Sequence, residues 1–332
     1  VGKETLSDLI EKGLKKQTIE KQIATGEKIG QIVDYVAGRN RYVAYLISLA
    51  SHSYKHLRIG IDCANGASWS IASAVFGALG ARVSLIGAEP DGLNINVACG
   101  STHIEALQKL VRDQHLDVGF AFDGDADRCL AVDELGNVLT GDHILYALAG
   151  EWRQKGLLTG DTVVTTIMSN MGLYRALGEQ NIRHVETAVG DKYVYEAMNQ
   201  GGFSIGGEAS GHIILRPYAQ TGDGILTALQ LLNVMLDERR TLSELCAPVK
   251  FYPQVLKNIR VTDKAAVRAN PAVQAAVAAA TQELGDSGRI LVRESGTEPV
   301  IRVMVEAPSK ELCQECVDSV VDVICAQGHA RV

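Results

Sequence analysis

The sequence predicts an α/β protein, with tandem α/β domains built on mixed, mainly parallel sheets and a smaller α+β domain at the C-terminal end. Three observations carry that reading. A unit of strand, Gly-bearing turn, helix and strand occurs twice, near residues 57–86 and 162–185. The chain has 332 residues, enough for two domains or more at roughly 150 residues each. After Pro248 the order changes to strand, helix, strand, strand, helix, which no longer alternates.

Each element follows from local chemistry. Residues 57–62 are a β-branched, apolar run that reads as a buried strand. Asn65-Gly66-Ala67 supplies a turn, residues 70–79 a helix closed by Gly80, and residues 82–86 the second strand. Residues 116–121 and 130–132 read as further strands. In the second unit the strand is 162–168, the turn Asn170-Met171-Gly172, the helix 173–177 with Gly178 near its end, and the next strand 182–185. Residues 203–205 and 213–215 bracket a polar loop in the manner of two short strands. The C-terminal part reads as strand 255–261, Ala-rich helix 271–284, strands 289–292 and 300–306, and helix 310–326. Residues 1–40, rich in Lys, Glu and Gln, read as amphipathic helix. The expected division is therefore 1–40 as a helical remnant and linker, then domains at 41–137, 138–248 and 249–332.

Composition excludes several classes. Lys and Arg total 32 against 39 Asp and Glu, a net charge of −7, and aromatic residues are only 5%. A nucleic-acid binder would present a basic face or an aromatic stacking platform, so no nucleic-acid partner is expected. No apolar run approaches the roughly 18 residues of a membrane span, and the longest, 272–280, is broken by Gln274. Of seven cysteines only Cys313 and Cys316 form a CxxC pair. No second pair completes a zinc site, so both read as thiols on a helix face. The N-terminus lacks the apolar stretch of a signal peptide, and a reduced, cytoplasmic protein is the expectation. The chain opens on Val1, which leads us to expect residues upstream.

Three loops carry chemistry. Phe122-Asp123-Gly124-Asp125-Ala126-Asp127-Arg128 places carboxylates at i, i+2 and i+4 between two strands. Such charge density is costly unless a hard divalent cation with oxygen ligands, Mg2+ or Ca2+, neutralises it. An EF-hand does not fit, because its sixth position is Arg128 rather than Gly and its flanks are strands. Gly206-Gly207-Glu208-Ala209-Ser210-Gly211-His212 alternates a carboxylate, a hydroxyl and an imidazole on one face of an extended segment. That donor and acceptor set suits sugar hydroxyls. No strand-to-helix elbow surrounds Ser210, which argues against a nucleophile. Arg293-Glu294-Ser295-Gly296-Thr297-Glu298-Pro299, with Arg302 beyond it, combines hydroxyls, exposed N–H groups and guanidinium forks suited to a phosphate dianion.

Taken together, the DGDxDR, GExSGH and R-x-SGTEP loops resemble the α-D-phosphohexomutase family, most closely its phosphoglucosamine mutases. Asp62-Cys63-Ala64-Asn65-Gly66-Ala67, Pro90-Asp91-Gly92-Leu93-Asn94-Ile95-Asn96, Gly100-Ser101-Thr102-His103, Val189-Gly190-Asp191-Lys192-Tyr193 and Thr221-Gly222-Asp223-Gly224 fit as well. The likeness runs from about Gly38 to Val332. It implies a four-domain protein around one cleft that interconverts glucosamine 6-phosphate and glucosamine 1-phosphate through a bisphosphate intermediate. By position, Asp123, Asp125 and Asp127 match the Mg2+ ligands, and Arg128 stands at the reacting phosphate. Glu208, Ser210 and His212 match the sugar-reading loop, and Asp191 and Lys192 a further substrate-facing loop, with Lys192 counted beside Arg128 as catalytic. Arg293, Ser295, Gly296, Thr297 and Arg302 match the loop that holds the non-reacting phosphate. Glucose-1,6-bisphosphate is the implied activator and a hexosamine phosphate the implied substrate.

Two departures matter. Ala209 stands where many amino-sugar members carry Gln or Glu, and Lys192 where Arg is common, so a phosphomannomutase/phosphoglucomutase remains open beside a non-catalytic sugar-phosphate-binding protein. The family's phosphoserine lies in a segment resembling Ser-Ala-Ser-His-Asn-Pro. Here Leu49-Ala50-Ser51-His52-Ser53-Tyr54 comes too close to the 59–61 strand and lacks Asn-Pro, so Ser51 reads as linker. The expectation is a truncated chain that lacks its nucleophile and is inactive alone.

Overall fold

Three sheets organise the chain, and the acidic loop, the 206–212 loop and the 293–299 loop each lie between two antiparallel neighbours of one of them. The computed structural model describes residues 35–295 and 298–329. The expectation for residues 1–40 falls mostly outside the described residues; helix α1, Val36–Ser48, begins within its last positions.

The first sheet has the order β2-β1-β3-β4-β5. Strand β1 (Arg58–Asp62) pairs in parallel with β2 (Arg82–Ile86) and β3 (Val118–Phe122). Helices α2 (Trp69–Ala78) and α3 (Glu105–Gln114) make the crossovers that parallel pairing requires. Strand β4 (Cys129–Val132) then runs antiparallel to β3, and β5 (Val138–Leu139) antiparallel to β4. The reversal is forced by length. Six residues separate Phe122 from Cys129, far short of a crossover, so the acidic loop closes a hairpin. Parallel and antiparallel pairings are therefore equal in this sheet, which makes it less parallel than the expected pattern.

The second sheet, β7-β6-β8-β9, repeats the plan. Strand β6 (Thr162–Thr166) is parallel to β7 (Arg183–Thr187) and β8 (Ile205–Gly207), and β9 (Ile213–Leu215) returns antiparallel. Helix α4 (Gly141–Gln154) leads in, α5 (Met171–Glu179) and α6 (Asp191–Gly201) form the crossovers, and α7 (Gly224–Glu238) follows with the short α8 (Leu242–Cys246). Leu145, Leu148, Leu229 and Leu232 from α4 and α7 join Phe120, Phe122, Ile205 and Leu215 in one core shared by both sheets. Asn233 of α7 ties down the chain before β1: its side chain donates to the Leu49 carbonyl and accepts from Ser51 N–H and Tyr54 O–H.

The third sheet, β10-β12-β11, is wholly antiparallel, with β10 Gln254–Arg260, β11 Arg289–Glu294 and β12 Val300–Glu306. Helices α9 (Lys264–Ala269), α10 (Pro271–Leu284) and α11 (Lys310–Ala326) complete it around a separate core that includes Val267, Ile301, Val303 and Val317. Asn270 caps α10 ahead of Pro271 at its first position, where a missing N–H costs nothing. Cys313 and Cys316 are buried against this core, in keeping with two thiols on a helix face. Among the described residues no helix is long and apolar enough to cross a membrane.

Candidate functional site

The acidic loop is a preformed cradle. Ligand-capable oxygens of Asp123, Asp125 and Asp127 lie within 4.8 Å of one another. Burial pushes the Asp123 carboxyl up to about 6, helped by the charges of Asp127 and Asp125 and opposed by the Arg128 N–H bonded to it at 3.2 Å. One Asp127 oxygen, Oδ1, is buried with no hydrogen-bond partner. Clustered carboxylates, one with a buried oxygen that accepts no hydrogen bond, fit a hard divalent cation, which removes the repulsion and the desolvation penalty at once. Arg128 bridges the cluster from one side, its Nε 3.6 Å from Asp123 and 3.7 Å from Asp127, with its side chain nearly half exposed.

The loop is held by its neighbours. The Gly124 carbonyl accepts from Ala67 N–H, the Phe122 carbonyl from Ser101 N–H and the Ala126 carbonyl from Gly224 N–H, all between 2.8 and 2.9 Å. The turn 64–67, the loop 96–101 and the loop 221–224 thus buttress it from three directions. The resemblance draws attention to segments at 62–67, 90–96, 100–103 and 221–224 without giving them a role, and the hydrogen bonds supply one.

The sugar-reading hairpin between β8 and β9 joins the acidic loop directly. Arg128 and His212 form an antiparallel bridge, and Cys129 N–H donates to the Gly211 carbonyl at 3.0 Å. His212 is buried, with Nδ1 3.1 Å from Asp127 Oδ2 and Nε2 accepting from Gly222 N–H at 3.1 Å. A backbone N–H aimed at Nε2 selects the tautomer with hydrogen on Nδ1, which donates to Asp127. Both ring nitrogens are thereby engaged within the protein. In this structure His212 braces the Asp127 carboxylate, a contact that stands beside the sugar-facing role the resemblance implies for it.

Glu208 stands half-buried, its Oε1 accepting from Gly190 N–H at 2.9 Å, and Ser210 is exposed. That bond brings Asp191 and Lys192, at the exposed start of α6, beside the hairpin. Asp191 Oδ1 accepts from the Lys192 N–H, leaving the lysine ammonium exposed. The acidic loop, the hairpin between β8 and β9 and the 190–192 turn are therefore linked to one another by hydrogen bonds.

The third constellation stands on its own sheet. Arg293 and Arg302 are directly opposite each other on β11 and β12. Like charges facing across an antiparallel pair are destabilising unless an anion lies between or over them. Arg302 Nε is buried without a partner, and burial followed by the Arg302 charge lowers the Arg293 pKa. Lys264, overlooked in the sequence because it lies 31 residues before Ser295, donates to the Ser295 carbonyl at 2.7 Å and to that of Glu298 at 3.3 Å. It staples the turn whose middle, Gly296 and Thr297, lies outside the described residues.

Comparison with known proteins follows the same three sheets. The chain matches phosphoglucomutase/phosphomannomutase alpha/beta/alpha domain II over residues 40–136, alpha/beta/alpha domain III over 140–252 and the C-terminal domain over 256–323. A phosphoglucosamine mutase of Lachnospira eligens is 59% identical over 328 residues, covering 99% of this chain and 73% of that protein. One of Bacillus subtilis is 47% identical over 299 residues, covering 90% of this chain and 67% of that protein. A solved phosphoglucomutase/phosphomannomutase family protein of Burkholderia thailandensis has a TM-score of 0.73 at 21% identity, over 88% of this chain and 65% of that one. The Aspergillus fumigatus N-acetylphosphoglucosamine mutase, solved with GlcNAc-6P and magnesium, has a TM-score of 0.70 at 21% identity, over 86% of this chain and 66% of that one. The loops, the sheets that present them and the relatives agree: this chain belongs to the phosphoglucomutase/phosphomannomutase family, the α-D-phosphohexomutases.

Proposed function

We propose that this chain handles the sugar phosphate in a phosphoglucosamine mutase, an intramolecular phosphotransferase that interconverts glucosamine 6-phosphate and glucosamine 1-phosphate through a bisphosphate. Residues 41–137, 138–248 and 249–332 would be its second, third and fourth domains. One observation carries the reading above the others. The acidic loop and the sugar-reading hairpin are locked by the Arg128–His212 bridge and the Asp127–His212 hydrogen bond, so a cation and a sugar ring would be held in fixed relation.

Asp123, Asp125 and Asp127 would hold Mg2+, which when bound neutralises charge on the phosphoryl group in transfer. Arg128, already beside these carboxylates and partly exposed, adds a donor fork for phosphoryl oxygens. Glu208 and Ser210 accept from and donate to ring hydroxyls, and Lys192 places a mobile positive charge at the same edge. Arg293, Arg302 and the Ser295 turn hold the phosphate that does not react, which fixes which end of the bisphosphate meets the metal loop. The resemblance supports glucose-1,6-bisphosphate as activator, and the charge and cysteine pattern support a cytoplasmic setting.

The 332 residues include no Ser-Ala-Ser-His-Asn-Pro segment, and Ser51 lies in the stretch that Asn233 ties down. The reading therefore has these residues bind sugar phosphate without turning it over. Calorimetry should detect Mg2+-dependent binding of glucose 1,6-bisphosphate, and a coupled assay should detect no turnover of glucosamine 6-phosphate. Turnover abolished by Ser51→Ala would overturn the assignment of Ser51 as linker. Absence of Mg2+-dependent binding would overturn the site. A second reading, phosphomannomutase/phosphoglucomutase, is favoured by one residue: Ala209 offers an amino sugar no polar side chain. Weaker binding of glucosamine phosphates than of glucose or mannose phosphates would decide for it.

A further inference from the structure

The third sheet's module keeps its own apolar core, whereas the first two sheets share one. Its junction with the second sheet is built differently, around a buried charge. Glu306, the last residue of β12, is fully buried. Its Oε1 accepts from Asn170 Nδ2 at 3.2 Å, and its Oε2 from the Met171 backbone N–H at 3.1 Å and from Arg289 Nε at 2.8 Å. Arg289 also donates to the Ser169 carbonyl and lies over the Tyr174 ring. Asn170 and Tyr252 exchange two further hydrogen bonds.

Apolar surfaces can slide over one another at little cost. A carboxylate facing three directed donors cannot move without stranding a buried donor. The contact also lies on a continuous path between the two ligand-facing loops. Asn170 follows β6; β6 pairs with β8, which ends at the turn bearing Glu208. On the other side, β12 carries Arg302 and begins at Val300, beside the phosphate turn. At about 3.3 Å per residue β12 spans about 20 Å, so a tilt of about 10° at the Glu306 end displaces its far end by about 3.5 Å. That exceeds a whole hydrogen-bond length.

We propose that Glu306 is a positioning residue: it fixes β12, and with it Arg302, relative to the sugar-reading hairpin. The proposal rests on the reading of Arg293 and Arg302 as phosphate-holding residues, and the experiment separates the two. The 332-residue chain is titrated with glucose 1,6-bisphosphate in the presence of Mg2+, and separately with Mg2+ alone. Glu306→Gln keeps the shape of the side chain and removes its charge; Arg289→Lys keeps the charge and loses the fork. Both should weaken bisphosphate binding about tenfold or more while leaving Mg2+ affinity within about twofold, since one stranded donor is worth that much. Spin labels on the exposed Leu157→Cys and Leu256→Cys, in a Cys325→Ser background, should show a broader separation in Glu306→Gln than in the parent. A loss of melting temperature alone, with binding ratio and label separation unchanged, marks a merely structural residue and overturns the proposal. If Glu306→Gln does not fold, Arg289→Lys carries the same two readouts. Arg302→Ala is the control. If it loses bisphosphate binding and the junction variants do not, the positioning role fails. If Arg302→Ala binds like the parent, the phosphate reading fails and takes the proposal with it.

Discussion

Replacing Asp142 by Asn should stabilise the protein at neutral pH. Asp142 lies in the first turn of α4, buried, with Oδ2 accepting from Asn170 N–H at 2.8 Å and Oδ1 left without a partner. Burial pushes its carboxyl up to about 6 from 3.8, the Asn170 N–H, the Ser169 side chain and Arg289 oppose it, and the Glu306 charge adds to it. A folded-state value above the unfolded one means that the folded chain holds the proton more tightly between the two. Stability from this residue is therefore present at low pH and lost as pH rises through 6. At pH 7 the ionised carboxylate costs about 3 kcal/mol relative to a neutral isostere, and at pH 4.5 about 1 kcal/mol, from 1.36 kcal/mol per pH unit of separation. Asp142→Asn keeps an oxygen for Asn170 and supplies an amide in place of the unpaired oxygen. Urea unfolding of parent and variant should give a gap of about 2–3 kcal/mol in favour of Asn at pH 7, shrinking towards 1 kcal/mol at pH 4.5. A variant less stable than the parent at pH 7 would refute the reasoning. It would mean that the helix N-terminus and Arg289 more than offset the cost of burial.

Three other substitutions test the site's construction. A Cβ on Gly141 would lie 2.0 Å from the Glu208 carbonyl oxygen, so Gly141→Ala should push the sugar-reading hairpin off α4 and cost about 2 kcal/mol or more in urea unfolding. On Gly222 the same atom would meet His212 Cε1 at 2.5 Å and the Asp127 carbonyl at 2.7 Å; Gly222→Ala should weaken Mg2+ binding about tenfold by displacing the histidine that supports Asp127, read by calorimetry. Asn233→Ala removes the bonds to Leu49, Ser51 and Tyr54 and should cost about 3 kcal/mol, with loss of amide-exchange protection confined first to residues 49–54.

The hairpin loops were legible because their polar residues stand between short apolar runs, and short runs with short spacings can pair only antiparallel. Helices α4 and α7 were not. Of their 14 and 15 residues, 11 and 12 are buried, so polar positions such as Asp142, Glu151, Gln230 and Asn233 lie inside as well and do not mark a solvent face. For His212, period two along a strand says which face the ring occupies and nothing of what meets it there, so its bonds to Asp127 and to the Gly222 N–H were not legible. Lys264 and Glu306 gave no local signal: one is an ordinary helix-start lysine, the other the last residue of a strand.

The residues by themselves determined the strand and loop grammar, the carboxylate cluster, the polar hairpin loop, the arginine pair, and the family. Those depend on residue type at short spacing, which the chain carries wherever it folds. Only the tertiary structure decided that His212 takes both nitrogens into the protein, that the loops at 64–67, 96–101 and 221–224 brace the acidic turn, and that a buried glutamate joins the second and third sheets. Each is a contact between distant segments, and its sign rests on burial, which turns a surface carboxylate or imidazole into a group that must find its partner.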